Sequence, residues 1–182
     1  MAYRNGTYVA FHANGTNYPL NSDIKYYNLI KAWSEKAGDD FCIVNSHDKT
    51  AAVRDSSSKE TLRRSLRERL NSSKNMVLII GETTNQDDDW VPFEIQYAVD
   101  TCKIPIIVTY VDIKTPIYDC NPLLSKLPEA LRTRIQNKTA SAIHIPFNKK
   151  VLQDSLRFTF NNKPKGYGMG IYSAAAYRSF GL

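Results

Sequence analysis

Cysteine and histidine are scarce in this sequence, which contains three of each among 182 residues. Cys42, Cys102 and Cys120 are odd in number and show no close paired spacing, so they predict neither a disulfide framework nor a structural zinc site. The histidines are widely separated along the chain and also lack the spacing of metal ligands. We therefore expect reduced thiols and no metal site.

Long hydrophobic runs are absent as well. The longest apolar segments, 76–81 and 104–111, are far shorter than the roughly 20 residues that cross a bilayer, and the first residues show no apolar signal region. Apolar side chains nevertheless make up 42% of the sequence, which is enough to bury the core of one ordinary domain. These features predict a soluble cytoplasmic protein with no membrane partner.

The sequence has no excess of acidic residues, since its formal net charge is +6. The densest basic region is one predicted helix, in which glutamates interrupt a set of four arginines: Arg63, Arg64, Arg67 and Arg69. This pattern is typical of a solvated helix face, and no nucleic-acid-binding motif accompanies it. We therefore expect no nucleic-acid partner, and the charge gives weak support to a phosphate-bearing substrate.

Short β-prone segments alternate with helical patterns about five times, as they do in right-handed βαβ units. The predicted strands are 7–11, 41–44, 76–81, 104–111 and 142–146. The predicted helices are 22–37, 57–70, 90–102, 123–137 and 148–160. This order predicts a flavodoxin-like, doubly wound α/β domain over residues 1–160, with a parallel five-stranded sheet and helices on both faces.

The last residues, 161–182, differ in composition because glycines alternate with tyrosines and other large side chains. The spacing of Gly166, Gly168 and Gly170 imitates part of a dinucleotide-binding fingerprint. It does not follow a predicted strand or open a strand-to-helix unit, so a cofactor loop is not expected. We expect this tail to pack on the domain or on a partner.

Polar loops follow three of the predicted strand ends, at 12–21, 45–57 and 82–90. Ligands of doubly wound sheets bind beyond the carboxyl ends of the strands, so we expect these loops to converge. The third loop leads into a helix on which Trp90 and Glu94 lie one turn apart, with Asp88 or Asp89 as its cap. Spacing alone leaves two interpretations open: Glu94 is a site carboxylate, or it only favours the positive end of the helix dipole while Trp90 fills a gap.

A motif within this region is similar to the signature of TIR and TIR-like domains. It consists of Gly-Glu-Thr-Thr at 81–84, followed by Trp90-Val91-x-x-Glu94-Ile95-x-x-Ala98 and an apolar strand. Val-Ala-Phe-His at 9–12 resembles the first conserved box of the same domains. The resemblance extends over roughly residues 7–111 and is closest to the TIR-like proteins of Thoeris antiphage defence.

This resemblance implies an enzyme that processes NAD as its substrate, with no other cofactor, and releases a cyclic or conjugated ADP-ribose. Glu94 takes the position of the catalytic glutamate. The positions implied to bind the substrate are Phe11, His12, Asn14, His47, Asp48 and Trp90. The implied partners are an effector activated by the diffusible nucleotide, a phage-derived activator and further copies of the chain. The alternatives are a non-catalytic TIR-like interaction module and a nucleotide transferase of similar fold.

Overall fold

The computed structural model describes residues 4–13, 22–37, 43–44 and 59–182. Its strands are β1 (Gly6–Ala10), β2 (Ile43–Val44), β3 (Ser73–Ile80), β4 (Ile106–Tyr110) and β5 (Ala142–Pro146). They pair in parallel in the order β2-β1-β3-β4-β5. Four of these strands have five or more residues, whereas β2 has two and pairs at the edge of β1.

Helices follow the strands and cover both faces of the sheet. They are α1 (Ile24–Ala37), α2 (Lys59–Asn71), α3 (Trp90–Gln96), α4 (Glu129–Gln136), α5 (Lys149–Ser155) and α6 (Ala174–Phe180). The predicted doubly wound α/β fold with a parallel sheet is confirmed. Among the residues described here, no helix has the length and apolar character needed to cross a membrane.

Side chains of β1 alternate between two buried layers, because successive residues of a strand point to opposite faces. Tyr8 and Ala10 belong to the layer that also contains apolar residues of α2 and α3. Val9 belongs to the opposite layer, together with Tyr27 and Ile30 of α1. The strands are buried on both sides, and each large aliphatic side chain buried in this way contributes about 1.5–3 kcal/mol.

Two predicted helices are shorter than expected, and a third changes its helical type. The predicted helix 123–137 is divided into a 3₁₀ segment, Asn121–Lys126, and α4, because Pro128 favours an extended Leu127. The predicted helix 90–102 changes from α3 to a π-helical segment, Tyr97–Cys102, which ends where Lys103 adopts a φ of 57°. The predicted helix 148–160 stops at Ser155.

The tail 161–182 lies against β5 and contains α6. Gly170 forms a parallel bridge with Ile143, and the backbone N–H of His144 donates to Gly170 O at 2.8 Å. A Cβ atom at Gly170 would lie 2.7 Å from the carbonyl oxygen of Ala142, so only glycine permits this approach. Tyr172 and Tyr177 of the tail are buried in the layer that contains α1 and α5.

His144 connects the tail to the centre of the sheet through both ring nitrogens. Nε2 lies 2.9 Å from Gly168 O, and Nδ1 lies 2.7 Å from the hydroxyl oxygen of Tyr110. Because a carbonyl oxygen only accepts, Nε2 carries the proton and Nδ1 accepts from Tyr110. Complete burial lowers the pKa of His144, so the ring is held neutral.

Candidate functional site

The start of helix α3 is held by Asp87, an aspartate that lies three residues before Trp90. Asp87 Oδ1 accepts hydrogen bonds from the backbone N–H groups of Asp89 and Trp90, at 2.9 and 3.0 Å. Asp89, one of the two residues predicted as the cap, does occupy the N-cap position, but the capping hydrogen bonds come from Asp87. Asp89 occupies the position before the helix, but its side chain makes no capping bond and instead pairs with Lys59 Nζ at 2.7 Å. Asp87 thus fixes the direction in which the helix leaves the loop.

Glu94 lies in the second turn of α3 and points into the protein, with 7% of its surface exposed. Its Oε1 atom accepts a hydrogen bond from the hydroxyl of Tyr8, whose side chain is fully buried in β1. Burial raises the pKa of Tyr8 well above its ordinary value, and the neighbouring Glu94 charge raises it further. Tyr8 consequently remains a donor at neutral pH, and the pair joins α3 to β1.

Tyr8 was not predicted as a site residue, although the sequence contains a signal for it. In β1, the alternation of side chains places residue 8 on the same face as Ala10, in the layer that receives α2 and α3. A tyrosine at a fully buried position also needs a partner for its hydroxyl. Glu94 is the partner that the helix supplies.

Trp90 and Phe11, two of the predicted binding residues, lie in different layers. Trp90 is half-buried and packs against the layer that contains Tyr8, while Lys59 Nζ lies 5.8 Å from its ring centroid. Phe11 is buried in the opposite layer, where its ring stacks on Tyr27 with the centroids 5.1 Å apart. The sheet therefore brings Trp90, but not Phe11, to the side on which Glu94 meets Tyr8.

His12 follows β1 and contacts the loop that leads into α3. Its Nδ1 lies 3.1 Å from the hydroxyl oxygen of Thr83, and its Nε2 lies 3.9 Å from Asp87 Oδ2. His12 thus connects the carboxyl end of β1 to the residue that caps the Glu94 helix. The other predicted binding residues, Asn14, His47 and Asp48, lie outside the described residues.

A buried carboxylate that the sequence did not indicate lies beside this contact. Asp23 is 7% exposed, and its Oδ2 accepts a hydrogen bond of 3.0 Å from the hydroxyl of Thr84, which in turn accepts from the backbone N–H of Gly81 at 2.8 Å. A Cβ atom at Gly81 would lie only 1.9 Å from Asp23 Oδ1. Burial is the main cause of the raised pKa of Asp23. The glycine that ends β3 therefore makes space for a carboxylate.

A cavity with a volume of about 660 Å³ lies at this edge of the sheet. Its lining residues include Asp23, Tyr26, Thr83, Asp112 and Lys126. Glu94 is not among the described residues that line it. We place the candidate catalytic centre at Glu94 rather than in this cavity, because Glu94 combines a buried carboxylate with a fixed hydrogen-bond donor, and His12 connects the two places through Thr83.

The chemistry of this arrangement is that of one oriented carboxylate that is almost fully buried. Within the described ranges, no three His, Cys, Asp or Glu side chains are grouped so that they could hold a metal ion. A preorganised carboxylate stabilises a positive charge that develops next to it, and it does so more strongly than in water. The arrangement suits a reaction whose transition state is cationic.

A family model described as "Thoeris protein ThsB, TIR-like domain" matches residues 8–116, which is more than half of the chain. The matched segment runs from β1 to beyond β4. It includes Tyr8, His12, Asp87 and Glu94, and thus the whole hydrogen-bonded connection between β1 and α3.

Proposed function

Because the chain belongs to the ThsB family of Thoeris TIR-like domains, we propose that it cleaves the bond between nicotinamide and ribose in NAD. The product in this proposal is a cyclic or conjugated ADP-ribose, which diffuses to a separate effector and activates it. The observation that carries the proposal is the buried carboxylate of Glu94, held by Tyr8 on a helix at the carboxyl edge of the sheet.

The reaction requires one carboxylate and no general acid. The C–N bond breaks with its electron pair moving to the nicotinamide nitrogen, so that nicotinamide leaves as a neutral molecule. The ribose carbon passes through an oxocarbenium-like state, which the negative charge of Glu94 stabilises. At roughly 4 Å and an effective dielectric constant of about 20, this attraction is worth about 4 kcal/mol. Such a stabilisation corresponds to a rate enhancement on the order of 10³.

The attacking group decides which product forms. Water gives ADP-ribose, an internal hydroxyl or adenine nitrogen gives a cyclic isomer, and an external nucleophile gives a conjugate. Each attack forms a new bond at the ribose carbon, and an attacking hydroxyl or water then loses its proton to solvent. The low exposure of Glu94 favours the routes that exclude water.

The half-buried Trp90, one turn before Glu94, supports the carboxylate side of the site in this proposal. His12 is proposed to contact NAD from the end of β1, where Thr83 and Asp87 orient its ring. Phe11 is proposed to act from the opposite layer, by holding the end of β1 through its stack on Tyr27. Direct contacts from Asn14, His47 and Asp48 remain predictions from the sequence.

The test is release of nicotinamide from NAD, followed by chromatography and mass spectrometry of the products, with and without lysate from phage-infected cells. The lysate supplies the activator, and the chain concentration is varied because copies of the chain are proposed to assemble. We expect Glu94→Gln to lower the rate by on the order of 10²–10³, since the amide keeps the shape but loses the charge.

Glu129→Gln is the matched control. Glu129 also lies in an early turn of a helix, but its side chain is 80% exposed and pairs with the neighbouring Arg132. We expect this variant to retain the parental rate. A Glu94→Gln variant as active as the parent would refute the proposal and leave the non-catalytic interaction module as the better description.

A further inference from the structure

Tyr8 approaches Glu94 from inside the sheet, where no ligand can reach it. Its side chain is fully buried, and its hydroxyl donates to Glu94 Oε1. Glu94 itself is only 7% exposed, so the protein rather than the solvent must orient the carboxylate. A donor on one oxygen restricts rotation about the last bond of the glutamate side chain.

Charged and titratable groups on neighbouring elements also act on this pair. The guanidinium of Arg69 on α2 lowers the pKa of Tyr8, and Tyr27 on α1 raises it by a smaller effect than burial and Glu94 do. The hydroxyl therefore keeps its proton, and its hydrogen bond favours the ionised form of the carboxyl group that accepts it. This effect opposes the cost of burying the Glu94 charge.

We propose that Tyr8 is the positioning residue of this site, which holds the Glu94 carboxylate ionised and in one orientation through Oε1, without touching the substrate. The inference rests on the proposed function of Glu94. The sequence motif attributes catalysis to Glu94 alone. In this proposal Glu94 stabilises the reacting ribose, while Tyr8 controls the ionisation and orientation of the Glu94 carboxylate.

The test removes the hydroxyl alone, in the variant Tyr8→Phe. The first measurement is a ¹³C NMR titration of the Glu94 carboxyl carbon, whose midpoint we expect to rise by about one pH unit when the donor is lost. The second is the pH profile of kcat/KM with NAD, whose acidic limb moves by the same amount. We expect kcat to fall while KM changes less than about two-fold, because Tyr8 does not contact the substrate.

Tyr110→Phe is the matched control. Tyr110 is also fully buried, lies in the same layer on β4 and donates to His144 instead of Glu94. It should leave the titration and the acidic limb unchanged. If Tyr8→Phe does not fold, the test uses the ¹³Cζ chemical shift of Tyr8 in a protein that keeps this residue. Glu94→Gln must then change the chemical shift of Tyr8 more than it changes that of Tyr110.

An unchanged Glu94 titration in Tyr8→Phe, or an equal shift in Tyr110→Phe, overturns the inference. Absence of NAD turnover by the parent protein in the presence of infected lysate refutes the proposed function instead. The NMR titration needs no turnover, so it still decides whether Tyr8 controls the state of Glu94.

Discussion

Gly81→Ala should destabilise the protein through one identifiable contact. The added Cβ atom would lie 1.9 Å from Asp23 Oδ1 and 2.4 Å from its Cγ, so the buried carboxylate must move. Movement breaks its hydrogen bond with Thr84, which is worth about 1.5–3 kcal/mol for a charged acceptor. Adding the strain of overpacking gives a loss of about 3 kcal/mol in the free energy of unfolding. For a domain of this size, the melting temperature should fall by about 6–12 °C.

The assay is a double-mutant cycle of urea unfolding with Asp23→Ala. In the Asp23→Ala background the space beside Gly81 is empty, so we expect Gly81→Ala to cost less than about 1 kcal/mol there. The backbone of Gly81 does not adopt a positive φ, so the substitution adds no strain of that kind. An equal cost of Gly81→Ala in both backgrounds would refute the contact with Asp23 as the reason for glycine at this position.

Two further predictions concern a cap and a buried histidine. Asp87→Ala should lower the unfolding free energy by about 1 kcal/mol because it removes the acceptor for two backbone N–H groups, whereas Asp88→Ala should change it by less than about 0.5 kcal/mol. Urea unfolding of both variants checks this difference. The folded-state pKa of His144 lies below its unfolded value, so the folded state binds fewer protons and stability falls as pH decreases below about 6.5. Urea unfolding between pH 7.5 and 5.5 should show that the free energy of unfolding falls by up to about 1.4 kcal/mol per pH unit. In His144→Gln this dependence on pH should be weaker.

The strands could be predicted along the chain because their signal is local and strong. The predicted strand 142–146 coincides with β5, and the core of the predicted strand 104–111 is β4. Apolar runs of this kind are typical of strands buried on both faces. The ends of other helices were predicted less well because they depend on single residues such as Pro128, whereas the predicted end at 102 coincides with the end of the π-helical segment that continues α3.

The position of Glu94 on a helix after β3 followed from the sequence, but the contacts that orient it did not. Tyr8 and Glu94 are separated by 86 positions and meet only because β1 lies beside β3 in the sheet. His12 and Thr83 meet for the same reason, across 71 positions. The hydrophobic periodicity of a strand or helix shows which face of that element a residue occupies. It does not show which strands are neighbours in the sheet, and the contacts of Tyr8 with Glu94 and of His12 with Thr83 depend on that order.

Asp23 shows that a residue at the start of a helix can have a role that its position in the sequence does not indicate. At the start of a helix, an aspartate after a polar loop indicates an N-cap. The structure instead buries its carboxylate against Gly81 and Thr84, and its backbone N–H donates to the carbonyl of His12 at 3.3 Å. The signal that could have identified this role is the small residue at the end of β3, which suggests a close approach by another group.

The two buried carboxylates of this edge, Asp23 and Glu94, are connected through a series of polar contacts between neighbouring elements. Asp23 fixes the loop after β3 through Thr84, the neighbouring Thr83 contacts His12, and His12 approaches the aspartate that caps the Glu94 helix. Each contact is a hydrogen bond or a close polar pair between two different elements. A substitution at Asp23 should therefore change the placement of His12 before it changes Glu94, because Glu94 has its own attachment to β1 through Tyr8. The site is thus fixed at two points, and at one of them Tyr8 contacts the Glu94 carboxylate directly.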